Sequence, residues 1–373
     1  MPRLDDVCAI TMGQSPDSST YNKECNGLPF FQGNADFGES HPSVRMWCSE
    51  PSKIARENDI LISVRAPIGA LNIANCECCI GRGLAALTVN NDICTREYLW
   101  YALSSKIDEL NSKGTGSTFK AVNKSTLSET EIPLPPLDEQ RHIATTLDKV
   151  TDLISKRRQQ LDKLDELVKA RFVEMFGGIH DSINFSYLLI KDFTTVVSGG
   201  TPERNSPQYW ENGTIKWVKT TELQNNIIND TEEKITESGL KNSSAKIVPP
   251  NTILVAMYGQ GKTRGMTGYL AVEAATNQAC ACILPSARIN QKFLWQYLIM
   301  SYNELRNLAK GGNQLNLNGA MIKNFPVLMP PCELQNQFAD FVEQTEKAKT
   351  TISRSLEKLE TLKKALMQEY FGT

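Results

Sequence analysis

Residues 131–177 read EIPLPPLDEQRHIATTLDKVTDLISKRRQQLDKLDELVKARFVEMFG, and residues 325–372 read FPVLMPPCELQNQFADFVEQTEKAKTTISRSLEKLETLKKALMQEYFG. Pro135-Pro136 matches Pro330-Pro331, Gln140 matches Gln335, Ala144 matches Ala339 and Phe176-Gly177 matches Phe371-Gly372, always at an offset of 195. Self-similarity at a fixed offset marks an internal duplication. Each copy opens after a Pro-Pro pair with acidic residues in its first turn, Asp138 and Glu139 in one and Glu333 in the other, which suits the positive end of a helix. Each closes on a glycine, Gly177 or Gly372, suited to a left-handed cap. Ile143, Leu147, Val150, Ile154, Leu161, Leu164, Val168 and Met175 recur at helical spacing, broken by Arg157 and Arg171, and Phe338, Val342, Ile352, Leu356, Leu359 and Leu366 do the same in the second copy. A helix from Asp138 to Met175 would run about 57 Å at 1.5 Å per residue. It outruns a domain of about 135 residues, whose radius of gyration is about 14 Å. The spacing therefore predicts that the two helices pair with each other; packing of each on its own domain is the alternative.

The duplication extends upstream with gaps. Met12-Gly-Gln-Ser-Pro16 parallels Ser198-Gly-Gly-Thr-Pro202, Asn58-Asp-Ile-Leu-Ile62 parallels Asn251-Thr-Ile-Leu-Val255, and Lys113-Gly-Thr-Gly116 parallels Lys310-Gly-Gly-Asn313. Short β-rich runs at 60–64, 252–257 and 279–284 are separated by Gly, Pro and Asn turns. One helix per half is expected near 97–111 and 292–309, each followed by a loop of small polar residues. The chain divides into a globular region 1–136, a helix 137–178, a second globular region 179–331 and a helix 332–373. The fold class is α+β, with an internal pseudo-twofold repeat.

Composition narrows the functions. At 373 residues, 40% hydrophobic and 22% charged, the chain is an ordinary globular protein long enough for two or three domains. It has no apolar run near the roughly 18 residues of a spanning helix and no basic-then-apolar leader, so a cytoplasmic location is expected. The net charge of −2 decides little, but residues 190–330 hold 14 Lys and Arg against 10 Asp and Glu, whereas residues 1–136 hold 12 against 16. Binding to a phosphate backbone needs local positive charge, which the second region offers more readily. Ten cysteines raise the question of zinc, yet only Cys76 and Cys79 have ligand spacing, and the three histidines, 41, 142 and 180, are scattered. Cys280 and Cys282, in an apolar strand-like run, read as small hydrophobes, and reduced, mostly packed cysteines are the preferred reading over zinc.

The stretch Ala256-Met-Tyr-Gly-Gln-Gly-Lys-Thr-Arg-Gly265 sits one residue away from a nucleotide-binding P-loop. A P-loop must run into a helix whose N-terminus faces the phosphates. Here Arg264-Gly-Met-Thr-Gly-Tyr-Leu270 reads as loop into strand, and the matching stretch Ile62-Ser-Val-Arg-Ala-Pro-Ile-Gly69 has no Gly-Lys-Thr. The dense set of long polar groups suits contact with base edges instead, Gln to adenine and Arg or Lys to guanine.

The whole pattern resembles the specificity subunit of type I restriction–modification systems. The residues that carry the resemblance are Leu134-Pro-Pro-Leu-Asp-Glu-Gln-Arg-His-Ile-Ala144 and Met329-Pro-Pro-Cys-Glu-Leu-Gln-Asn-Gln-Phe-Ala339, each opening a long helix. Gly13-Gln-Ser-Pro16, Phe30-Phe-Gln-Gly-Asn-Ala-Asp36, Trp217-Val-Lys-Thr-Thr-Glu222, Met257-Tyr-Gly-Gln-Gly-Lys-Thr263 and Thr276-Asn-Gln-Ala279 add to it. The resemblance implies two β-rich target recognition domains held apart by two long antiparallel coiled-coil helices. Each domain would read half of a split, asymmetric site in double-stranded DNA. The helices would dock two methyltransferase subunits, which bring S-adenosylmethionine and methylate adenine. Restriction subunits that translocate with ATP and Mg would join them, and this chain would hold no cofactor, no metal and no catalytic residue.

Candidate DNA-contacting residues are Gln14, Ser15, Gln32, Asn34, Arg65, Arg82, Thr115, Ser117 and Lys120 in the first region. In the second they are Thr201, Lys219, Thr220, Tyr258, Gln260, Lys262, Thr263, Arg264, Asn277, Gln278, Asn313 and Gln314. Two alternatives stand beside this reading: a partner of a fused methyltransferase–nuclease with the same fold, and a coiled-coil scaffold without sequence readout.

Overall fold

The computed structural model describes every residue except 116–119, 180, 181, 183, 260, 310–314 and 373. The chain forms two compact units, Met1–Gln159 with Ser353–Thr373, and Gln160–Ile352.

The same sheet is built in both. In the first unit its strand order is Cys8–Met12, Leu84–Val89, Ile60–Ser63, Leu71–Ile73, all antiparallel. In the second the order is Val196–Ser198, Cys280–Ile283, Ile253–Ala256, Thr267–Leu270, with Asn226–Ile228 added in parallel. The registers correspond: Ile60 lies opposite Leu87 as Ile253 lies opposite Ile283. The central strands Ile60–Ser63 and Ile253–Ala256 are buried at every residue, which is why Ile60-Leu-Ile62 and Ile253-Leu-Val-Ala256 read as continuous apolar runs rather than alternating ones. Before each of them an asparagine turns the chain at positive φ, Asn58 at 71° and Asn251 at 66°, a conformation that Asn tolerates better than most side chains. A second, parallel pairing lies beside each sheet: Leu28–Phe31 with Cys78–Ile80, and Ile215–Val218 with Ala275–Thr276.

Each expected mid-domain helix is two helices. Arg96–Ser105 breaks at Lys106 before Ile107–Lys113, and Gln291–Met300 breaks at Ser301 before Tyr302–Asn307. At both breaks the backbone tightens, Lys106 N–H bonding to Leu103 O and Ser301 N–H reaching Ile299 O as well as Tyr297 O. No Gly or Pro marks either break, so helical periodicity reads straight through it.

The long helices run Leu137–Phe176 and Cys332–Phe371, and Gly177 and Gly372 end them at φ 81° and 67°. Each helix begins in one unit's core and finishes in the other's. In the first unit Ile143 and Leu147 share a core with Phe371, whose ring centroid lies 5.4 Å from that of Tyr98. In the second unit Val168, Phe172 and Phe176 share a core with Phe338 and Val342, and Phe176 lies 5.4 Å from Phe293. Within each unit the two helical segments are antiparallel: Arg158 pairs with Glu360 at 2.7 Å in the first, and Asp165 pairs with Lys349 while Arg171 stacks on Phe341 in the second. Both the helix pair and packing on the domains are therefore present. Leu161, Leu164, Ile352, Leu356 and Leu359, toward the helix middles, are only half-buried.

The buried amide of Gln140 locks the start of the first long helix. Its Oε1 accepts the Thr95 N–H (2.9 Å), and its Nε2 donates to Ile93 O (3.0 Å) and Pro135 O (2.9 Å). Gln335 repeats this, accepting the Asn290 N–H (2.8 Å) and donating to Pro330 O (2.8 Å). Thr95 and Asn290 are the N-caps of Arg96–Ser105 and Gln291–Met300.

The thiols of Cys8, Cys78 and Cys94 are pushed up to about 12 by burial, as packed hydrophobes would be. Among the described residues no three His, Cys, Asp or Glu side chains gather as a metal site, and no helix is long and apolar enough to cross a membrane.

Gln140→Ala would leave a buried N–H and two carbonyls unpaired, at a cost of about 1–3 kcal/mol. The expected result is at least tenfold faster hydrogen exchange at the Thr95 amide with the Asn290 amide unchanged, and Gln335→Ala should do the reverse. Equal protection in both variants would show that the amides do not hold these caps.

Candidate nucleic-acid interface

In the first unit the two parallel strands end side by side. After Phe31 the chain turns through Gln32-Gly33 into a tight 3-10 turn, Asn34–Asp36, whose Asp36 carboxylate accepts the Gln32 N–H at 2.8 Å. After Ile80 it turns through Gly81-Arg82-Gly83. Gly81 N–H bonds to Phe31 O (2.8 Å) and Gly83 N–H to Gln32 O (3.2 Å). A Cβ on Gly83 would lie 2.3 Å from that same carbonyl oxygen, so the two turns can lie this close only because residue 83 lacks one. From the other side Gln14 N–H reaches Ile80 O (3.0 Å), and the Ser15 hydroxyl accepts the Arg82 N–H (3.3 Å).

These turns wall a cleft of about 580 Å³ that brings together Ser15, Gln32, Asn34, Arg65 and Arg82. Arg65 and Arg82 are exposed, and neither guanidinium has a hydrogen-bonding or ionic partner among the described residues. Asp17 also lines the cleft, its carboxyl held low by hydrogen bonds from the Ser19 hydroxyl and N–H. Gln14 faces solvent outside the cleft. Thr115 pairs with Ala121, and Lys120 O accepts the Ala66 N–H (3.3 Å), so both lie beside the Arg65 turn. Ser117 lies outside the described residues.

The second unit repeats the frame with other side chains. Asn277 N–H bonds to Val218 O (3.1 Å) where Gly81 bonded to Phe31, and Gly200 N–H bonds to Thr276 O (2.8 Å) where Gln14 bonded to Ile80. Leu317 N–H bonds to Met257 O (2.9 Å) as Val122 N–H bonds to Val64 O (2.9 Å). Glu222 accepts the Lys219 N–H (2.8 Å) as Asp36 accepts that of Gln32. Ser15 thus corresponds to Thr201, Gln32 to Lys219, Arg65 to Tyr258 and Arg82 to Gln278. The Thr201 hydroxyl donates to Gln278 Oε1. Thr220 sits in the turn after Lys219, and Asn277 Oδ1 is buried without a bond in the described structure.

The cations of the second site are largely engaged. Lys219 Nζ lies 2.8 Å from Glu232 and 2.9 Å from Glu233, which raise its pKa. Glu233 also takes Arg204, whose guanidinium lies 4.0 Å from the Trp210 ring centroid and 4.7 Å from that of Trp217. Sequence reasoning missed Arg204 and Glu232, which lie in polar loops with no motif, and Glu233, which opens the short strand Glu233–Ile235; only the proximity of Arg204 to Thr201-Pro202 hinted at the first.

The P-loop-like stretch runs from strand Ile253–Ala256 into strand Thr267–Leu270, with no helix among the described residues between them. Gly259, Gly261 and Gly265 take positive φ, and the loop is tied down from the helix Tyr302–Asn307. Tyr302 OH donates to Lys262 O (2.7 Å), and Arg306 donates to Gly261 O (2.9 Å) and Arg264 O (2.8 Å). The Arg264 guanidinium donates to Leu315 O, so this candidate serves the loop itself. Thr263 packs beneath Gly259, while Tyr258 and Lys262 are exposed. Gln260, Asn313 and Gln314 lie outside the described residues.

The two units thus carry two copies of one strand-end frame, polar and differently furnished. The model of the type I restriction modification DNA specificity domain matches residues 1–165 and again residues 184–363. The chain belongs to this family of type I restriction–modification DNA specificity proteins, whose members are the non-catalytic, DNA-reading subunits of their systems. A chain named as the MjaX specificity subunit of Methanocaldococcus jannaschii is 44% identical over 160 residues, which span 43% of this chain and 38% of that one. The MjaIX specificity subunit of the same organism is 25% identical over 314 residues, 78% of this chain and 71% of that one. The crystal structure of a type I S subunit from M. genitalium shares the fold at a TM-score of 0.64 and 16% identity, covering 99% of this chain and 95% of that one.

Gly83→Ala must displace one of the two turns, at an expected cost of about 1–3 kcal/mol. Thermal unfolding should show that loss, and DNA competition should show sequence preference falling more than total binding. Gly319→Ala, where a Cβ meets nothing within 4 Å, serves as the control. An unchanged preference in a destabilised Gly83 variant would remove this turn from recognition.

Proposed function

We propose that the chain reads a split, asymmetric DNA site, one half with each globular region, 1–136 and 179–331, and that helices 137–178 and 332–373 set the spacing. The observation that carries this is the repeated frame with different side chains at corresponding positions: Ser15, Gln32, Arg65 and Arg82 against Thr201, Lys219, Tyr258 and Gln278. A shared frame presents the same face to a duplex twice, and different side chains there give different half-sites. Direct readout uses such hydroxyl, amide and guanidinium groups on base edges. Lys120, Lys262 and the loop hydroxyls serve the phosphates that fix register. A protein with twofold character reads half-sites about one helical turn, roughly 10 bp, apart.

The partners are two methyltransferase subunits, which bring S-adenosylmethionine and methylate adenine, and restriction subunits, which bring ATP and Mg. All of this takes place in the cytoplasm. The chain contributes recognition and assembly, and no step of either chemistry.

A genome-wide adenine-methylation map tests the reading. The chain is expressed with its methyltransferase partner in a host that lacks adenine methyltransferases. One new motif, two defined blocks around an unspecified spacer of fixed length, is expected. No motif, with both proteins folded and associated, would favour the scaffold alternative. Inserting one heptad into each long helix should change the spacer and leave both blocks as they were; altered blocks would refute the spacing role.

A further inference from the structure

The two sites differ most in their arginines. In the first unit Arg65 and Arg82 line one cleft, exposed and unpartnered among the described residues. Around the corresponding surface of the second unit each described arginine is engaged: Arg204 by Glu233 and two indole faces, Arg264 by Leu315 O, Arg306 by the carbonyls of Gly261 and Arg264. The positions equivalent to Arg65 and Arg82 carry a phenol and an amide, Tyr258 and Gln278.

The backbone under Arg82 is also held more firmly than a phosphate contact needs. Its own N–H is bonded to Ser15, Gly81 is bonded to Phe31, and Gly83 to Gln32. A Cβ on Gly81 would lie 3.0 Å from Gln32 Cα and 3.3 Å from the Phe30 ring, so the turn is packed on both sides of Arg82. Phosphates accept a cation from many directions and tolerate a mobile stem. A guanidinium on a fixed turn suits the directional, two-pronged bond to guanine O6 and N7. Ser15, Gln32 and Asn34 in the same cleft supply hydroxyl and amide groups for adjacent base edges.

We infer that Arg82 is a specificity-determining residue that reads a guanine in the half-site bound by the first unit. The second unit, with Gln278 at that position, reads a different base there. This rests on the DNA-reading function proposed above.

The methylation map first supplies the two half-sites. The wild-type chain and Arg82→Gln, which places there the residue type of position 278, are then each assembled with the methyltransferase partner. Both are titrated by competition onto the motif duplex and onto duplexes in which each guanine in turn is exchanged for adenine. Wild type should prefer guanine at one position of one half-site by about ten- to hundredfold, the usual range for one bidentate pair. Arg82→Gln should lose that preference and keep the other half-site, and Gln278→Arg should alter only the other half-site. A motif without guanine would overturn the inference. So would unchanged discrimination, or equal weakening on every duplex, the mark of a phosphate contact. If Arg82→Gln does not fold, Arg82→Lys keeps the charge without the fork and should lose the same discrimination at an unchanged salt slope. If the wild-type complex methylates no motif at all, it is the DNA-reading function that fails.

Discussion

One amide, used twice, sets the frame of this protein. Gln140 and Gln335 sit where each long helix begins, and each accepts the N-cap N–H of the shorter helix in front of it while donating to the Pro-Pro segment behind. A buried amide with its bonds made is directional in a way that apolar packing is not. It ties the first turn of each 40-residue helix to the unit in which that helix begins. The apolar contacts then supply the bulk of the stability, through aromatic cores around Phe371 in one unit and around Phe172, Phe176 and Phe338 in the other.

From that frame the recognition surfaces follow. The strand ends that form each surface are buried, Phe30-Phe31 and Cys78–Ile80 in one unit and Trp217-Val218 and Ala275–Thr276 in the other, and the turns beyond them carry the exposed side chains. Hydrogen bonds between main-chain groups position those turns, so side chains on them can vary without disturbing the fold. This is why the two copies can keep Gly200 and Gln14, or Asn277 and Gly81, in the same bonds while presenting different chemistry. It also explains the difference in charge. One copy leaves the Arg65 and Arg82 guanidinium groups without a partner among the described residues, whereas the other engages Lys219 and Arg204 with Glu232 and Glu233.

Much of the architecture was legible in the sequence because the duplication compares the chain with itself. The long helices, their Gly caps and the buried strands at 60–63, 253–256 and 280–283 follow from periodicity and punctuation. The helix breaks at Lys106 and Ser301 were not, since neither carries Gly or Pro and only tertiary packing tightens the backbone there. Reading the stretch at 256–265 against a P-loop required only that no helix follow it. The candidate residues were chosen by motif, and eight of them stand at four corresponding positions. Arg264 could not be recognised as a loop clamp, because its partner is a main-chain carbonyl 51 residues away that no motif marks, nor Glu233 as the partner of both Lys219 and Arg204, because only the folded turns bring the three together.

The first unit is discontinuous in sequence, and this bears on how it is made. Its core needs Phe371, from the segment Ser353–Thr373, while all of residues 160–352 are synthesised in between. Domains ordinarily fold as they emerge, the N-terminal one first. Here the second unit, continuous from Gln160 to Ile352, is the one that can complete its core first, although it is translated later. The N-terminal unit waits with the socket around Tyr98 unfilled until the second long helix has been translated. Both cores draw on the second long helix, through Phe338 and Val342 in one and Phe371 in the other, so neither closes until that helix has been made.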